Sequence, residues 1–473
     1  MKRSIVVSMI ASTLALATVT PAQTLDRSKR PAAQPALEFK LPAMTTRTLP
    51  NGMVVRVMEN HALPLVSVRV NIEGGSLLDP IGREGLFTLD TALVKDGTTT
   101  MNAEQFADAL AELGGTVTAT RITNPSSSFE RCLALMGDML MHPSFAPDAF
   151  QRRKPGYAAS VQRSEDSSRV AGLKILNIAM WGASHPFART ATAKSINAIT
   201  RDELVAFHEA TVKPQNITLT IVGDVTSASA IAAVTKVFGG WQKTGERVSI
   251  AAPAAPAPRP TTVYLFDRPN SPQSTVFVGQ PMPARSSADF YALEAMGALF
   301  GGPTGSRLSM SMRERRPLTY GVSHIVTWRR LQDPASFHGS TNVDAMKTDS
   351  ALTVWLGEIK NLTAGRPADA ELAFARAATV GTLATRIETM DQMATQLTAL
   401  ARDGLPLNYY DNYVKGVSAV TAADVAAAAA RTVDATRLTI VVVGDRQKVE
   451  SILRAANLGP VVVVDQDGRP LER

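Results

Sequence analysis

Six histidines and one cysteine limit the chemistry this chain can do alone. His61, His142, His185, His208, His324 and His338 lie no closer than 14 residues apart (338 − 324 = 14). A two-histidine zinc grip on one helix needs ligands four residues apart, so no local grip exists and only ligands converging from distant segments would hold a metal. The lone Cys132 excludes an intrachain disulfide. Its neighbours Leu133 and Leu135 suit a buried thiol better than a nucleophile. No nucleophile elbow is present, and no glycine-rich phosphate loop opens a helix.

The elements that must position any site are mixed. Met53–Val57 and Val66–Val70 carry branched residues at strand spacing, after the turn Pro50-Asn51-Gly52. Asn102 is a good N-cap for a helix over Ala103–Leu113, with Phe106, Leu110 and Leu113 on one face. Thr421 introduces the alanine-rich run Ala422–Arg431 in the same way. Loose alternation of strands and helices predicts an α+β sandwich, with helices packed on a mostly antiparallel sheet.

At 473 residues, 45% of them hydrophobic and 19% charged, the chain has the balance of a folded protein of two sizeable domains. Lys2 and Arg3, the apolar run Ile5–Val19 and the small residue Ala22 read as a secretory signal peptide over residues 1–22. That places the mature chain outside the cytoplasm, in the periplasm. The net charge of +7 is scattered rather than clustered, and with 5% aromatic residues and export it speaks against nucleic acid as a partner. An extension over 23–45 precedes a first domain over 46–250. The run AAPAAPAPRP marks a stiff linker over 251–262, and a second domain fills 263–473.

The two domains repeat each other. INAITRDEL at 196–204 matches VSAVTAADV at 417–425, and TLTIVGD ending at Asp224 matches TIVVVGD ending at Asp445. Thr200 to Thr421 and Gly223 to Gly444 share one offset (421 − 200 = 444 − 223 = 221), which points to internal duplication.

The segment GLFTLDTALVKDGT at 85–98 resembles the signature helix of the pitrilysin or insulinase-type inverted zinc peptidases, the family of the mitochondrial processing peptidase. With Gly97-Thr98 placed on the family's Gly-Thr, Thr88, Thr91 and Ala92 stand where its H-x-x-E-H motif has the first histidine, the glutamate and the second histidine. By register with Glu165-Asp166, the family's third ligand falls at Ala159 or Ser160. None of these side chains can replace an imidazole, a general base or a carboxylate ligand. His185-Pro186-Phe187 and the run from Gly301 through Arg313-Glu314-Arg315-Arg316-Pro317-Leu318-Thr319-Tyr320 extend the likeness over nearly the whole mature chain.

The resemblance implies two homologous domains forming half of a clamshell. It implies no metal or catalytic group in this chain, and an Arg and a Tyr seven residues apart, here Arg313 and Tyr320, that hold peptide. Without the resemblance, a surface ion pair and a strand cap are the plainer readings of those two. Pro317 stands where the family usually has glycine, which alters the loop that presents Tyr320. The expectation is therefore a zinc-less subunit, inactive alone, in a heterodimer with a homologous zinc-bearing subunit. It would share a peptide chamber with that partner and lend it Arg313 and Tyr320 in trans. The alternative is a non-catalytic scaffold or peptide-binding protein of the same fold.

Overall fold

The strand Ile217–Gly223 is buried at every position, and its repeat Thr439–Gly444 is nearly so; a strand covered on both faces must lie at the centre of its sheet. A computed structural model describes residues 42–471 except Lys243, and the leader and most of the N-terminal extension lie outside the described residues. In the first sheet, β1 (Thr45–Thr48), β2 (Val54–Glu59), β3 (Leu65–Ile72), β4 (Thr116–Thr118), β5 (Arg121–Pro125) and β6 (Ile217–Gly223) run in the order β1-β2-β6-β3-β5-β4. In the second, β7 (Thr262–Asp267), β8 (Gln273–Ala284), β9 (Val322–Thr327), β10 (Pro334–Asp344), β11 (Thr439–Gly444) and β12 (Val461–Val464) run β12-β7-β11-β8-β10-β9.

The two orders superimpose strand for strand. Only the outer neighbour of β2 and β7 differs in origin, since β1 opens its half and pairs antiparallel whereas β12 closes its half and pairs parallel. The β2–β6, β7–β11 and β7–β12 pairs are parallel and the remaining pairs antiparallel, so the chain is α+β with mixed, mainly antiparallel sheets.

The repeat seen in sequence lands on equivalent structural points. Thr200 and Thr421 each close a capping box with the residue three further on, Glu203 and Asp424, which satisfies the first amide donors of the helices Arg201–Thr211 and Ala422–Thr432. Gly223 ends β6 at φ 147, where a Cβ would stand 2.3 Å from the Leu65 carbonyl oxygen. Only glycine allows that approach of β6 to β3.

The halves are not independent in packing. The helix Ser168–Trp181 of the first half lies on β8 and β11, burying Ile175, Leu176, Met180 and Trp181 against Phe277, Val441 and Val443. Gly172 lets it close in, because a Cβ there would meet Phe277 at 2.3 Å. Reciprocally, the helix Met390–Arg402 of the second half lies on β3 and β6, with Ala394, Leu397 and Leu400 against Met58 and Val222. The boundary at 251–262 thus separates the sheets but not the packing units. Periodicity shows that a helix has an apolar face, but not which sheet that face covers.

Asp391 anchors the second exchange. It accepts hydrogen bonds from Ser67 (3.0 Å), Thr123 (3.0 Å) and Arg69 (2.6 Å), with Arg121 at 3.4 Å. Burial pushes its pKa up, but the Ser67 hydrogen bond and the Arg69 charge, with Thr123 and Arg121, outweigh burial and hold it below the usual range. Asp391→Ala should cost about 1.5–3 kcal/mol, read from urea unfolding. A carboxyl depressed in the native state stabilises above its unfolded pKa of ~3.9 and loses that contribution as pH falls through its native value. The deficit should therefore be full at neutral pH and fade on acidification below pH ~4.

No helix among the described residues is long and apolar enough to cross a membrane.

Candidate functional site

The helix carrying the degenerate motif spans Leu86–Leu93 and begins at Gly85, whose φ of 100 and contact with Ile196 (2.3 Å to a built Cβ) require glycine. Its free amides are satisfied from a distance: the Asp79 carboxylate accepts from Gly85 N–H (2.7 Å) and Phe87 N–H (2.8 Å). Burial raises the Asp79 pKa, opposed by those two amides and by the Arg189 charge. Arg189 donates to the Asp79 and Leu77 carbonyls and holds the approach to the helix in place.

Leu86, Leu89 and Leu93 face the core at helical spacing, together with Asp90. The Asp90 carboxylate lies 2.8 Å from His208 Nδ1, and His208 Nε2 is 3.0 Å from the Leu140 carbonyl oxygen. A carbonyl only accepts, so Nε2 carries a proton and donates. Both ring nitrogens of His208 are thus engaged, one by the carboxyl and one by the carbonyl.

The other face carries the three motif positions. Thr88 is exposed, and Thr91 and Ala92 are half-buried. The Thr91 hydroxyl donates to the Phe87 and Thr88 carbonyls (3.1 Å each) of its own helix. Across from them runs the helix Pro147–Glu165, on which Ala159 and Ser160 are exposed. Tyr157 of that helix meets Thr88; burial raises its pKa and the Thr88 hydrogen bond opposes the rise. Two hydroxyls, a methyl and an alanine or serine opposite do not suit zinc. Among the described residues no three His, Cys, Asp or Glu converge as a metal site.

The histidines are dispersed into separate structural roles: His61 bonds Asp224 at the surface (2.7 Å), His185 packs on Trp181, and His324 accepts from the Trp355 indole (2.8 Å). Cys132 is buried, and burial raises the pKa of its thiol.

Arg313 and Tyr320 lie in the second half, on either side of a tight loop. Arg313 sits in a widened helical turn, Met310–Glu314, about half exposed, with its Nε 3.4 Å from Glu314. Leu318 N–H donates to the Met312 carbonyl (3.0 Å) just after Pro317, and Thr341 donates to Thr319 (2.8 Å), which pins the loop to β10. Tyr320 then projects ahead of the edge strand β9, 93% exposed. That exposure removes a packing role for its ring and leaves the phenol free to meet something outside the chain.

A further feature of the second half follows no motif. A cleft of about 650 Å³ in the second half is lined by Arg285, Glu294, Arg386 and three tyrosines, Tyr409, Tyr410 and Tyr413. Its one sequence signal is the cluster YYDNY, which places three of the chain's seven tyrosines within five residues.

The family model described as the peptidase M16 inactive domain matches residues 198–379. An uncharacterized zinc protease of Mycobacterium leprae is 27% identical over 295 residues, 58% of this chain and 64% of that protein. The match thus spans a little under two thirds of that relative's length. The zinc protease PqqE of Helicobacter pylori is 23% identical over 340 residues, 68% of this chain and 75% of that one. Among solved structures, a peptidase M16 inactive domain from Pseudomonas fluorescens aligns with a TM-score of 0.77 at 23% identity, covering 85% of this chain and 98% of that one. A protease from Helicobacter pylori aligns with a TM-score of 0.77 at 19% identity, covering 85% and 100%. At these identities the structural matches show the fold.

Proposed function

The chain belongs to the M16 metallopeptidase family as a member of non-catalytic type, and from that premise we propose that it is the zinc-less subunit of a two-subunit peptidase in the periplasm. The observation that carries this reading is an asymmetry between the two site regions. The motif helix keeps its glycine start, its Asp79 support and its apolar face, yet presents Thr88, Thr91 and Ala92 where hydrolysis needs ligands and a base. Arg313 and Tyr320, by contrast, retain donor groups and are exposed.

A homologous partner would bring the zinc and the base. This chain would form half of the peptide chamber and supply donors: the Arg313 guanidinium to a peptide carbonyl, and the Tyr320 hydroxyl to the oxygen that gains charge as the carbonyl is attacked. Such a division requires no metal in this subunit.

The test is to recover the tagged mature chain from its native compartment and to measure zinc and peptide cleavage in the isolated chain and in whatever copurifies. A copurifying homologue, one zinc per pair and cleavage by the pair alone are expected. Zinc and activity in the isolated chain would overturn the reading. A stable pair that cleaves nothing would make the chain a scaffold or peptide-binding member of the fold.

A further inference from the structure

We propose that the second-half cleft is a carboxylate-binding site, with Arg285 and Arg386 receiving the carboxylate of a short peptide. The inference rests on the peptide-handling role above and names a second point of contact, separate from Arg313 and Tyr320.

The Arg285 side chain is only 13% exposed, and its Nε is enclosed without a partner. The nearest carboxylate, Asp403, stands 4.0 Å away and already accepts two hydrogen bonds from Arg402 (2.7 and 3.1 Å). Arg285 is held instead by rings, 5.6 Å from the centre of Tyr409 and 5.9 Å from that of Phe290. Neighbouring ring faces satisfy none of the guanidinium N–H groups, and a buried donor without an acceptor is costly.

The other acid in the cleft is also engaged. Glu294 is bonded by the Tyr413 hydroxyl; burial raises its pKa, and Tyr413 and the charges of Arg285 and Arg386 oppose the rise. With Asp403 bonded by Arg402 and Glu294 by Tyr413, Arg285 and the exposed Arg386 are cleft arginines that hydrogen-bond no acid among the described residues. A planar guanidinium fork matches a carboxylate in two parallel hydrogen bonds. The volume of about 650 Å³ and the aromatic walls suit a few peptide residues.

Calorimetric titration of the isolated mature chain would use three N-acetylated pentapeptides: one with a free C-terminal carboxylate, its amidated twin, and an amidated peptide bearing an internal glutamate. Binding by the first, weakened about tenfold or more by amidation and by Arg285→Gln, is expected. Equal binding by the glutamate peptide would assign the carboxylate to a side chain and still support the site. Arg386→Gln, at an exposed side chain, should weaken binding in the same direction, so the test survives if Arg285→Gln fails to fold. Indifference to amidation and to both substitutions, or no binding by any peptide, overturns the site. Neither result touches the subunit reading, which stands or falls with cleavage by the pair.

Discussion

Replacing Tyr320 with phenylalanine should slow peptide cleavage by the proposed pair ~10²–10³-fold, the usual loss when one donor to a developing oxyanion is removed. The substitution deletes a single hydroxyl from a side chain that is 93% exposed, so neither the melting temperature nor pair formation should move. That separation gives the experiment its force. A rate that falls while assembly holds puts the phenol at the reacting centre. An unchanged rate would remove Tyr320 from the chemistry and turn the in-trans reading into a scaffold. Arg313→Ala should act on the same complex chiefly through KM if its guanidinium grips peptide in ground and transition states alike.

The second large effect concerns stability. His208→Ala should cost about 3–5 kcal/mol in urea unfolding, because it leaves the Asp90 carboxyl buried without its partner. Asp90 is 1% exposed and its second oxygen already lacks a hydrogen bond. Burial pushes the Asp90 pKa up, and His208, by hydrogen bond and charge, pulls it back. Without His208 the native value rises further, so the native state holds the proton to higher pH than the unfolded chain does. The deficit of the variant should therefore be small below pH ~3.9, where the carboxyl is neutral in both states, and reach its full size once pH passes the raised native value. The double variant Asp90→Asn/His208→Ala removes the stranded charge and should recover part of the loss. If His208→Ala costs under ~1 kcal/mol, the pair does not hold the motif helix and the helix rests on its leucines alone.

Much of this architecture is written locally. Branched residues at Val54–Val57 and Val66–Val70 become β2 and β3, and Asn102, Thr200 and Thr421 cap helices through their own side chains. The 221-residue offset falls on a capping threonine and a strand-ending glycine in both halves. What stayed hidden is long-range. The Asp90–His208 pair joins residues 118 positions apart, and Asp391 reaches Ser67 across 324. No spacing rule connects such partners. The exchange of the helices Ser168–Trp181 and Met390–Arg402 was equally invisible, because an apolar stripe fits either sheet. At the site, the motif positions and the Arg313–Tyr320 spacing could be read from sequence. The Arg285 cleft could not, since it draws on four separate segments and follows no motif.

The crossed helices also bear on the order of synthesis. The first sheet has all its strands once Gly223 is made, yet the helix that covers β3 and β6 starts at Met390, after a further 390 − 223 = 167 residues. Until then its apolar face has no lid from within the chain. The early half must wait on the ribosome for the late one, and cutting the finished protein in its linker should yield two pieces that stay together, each holding the other's missing part.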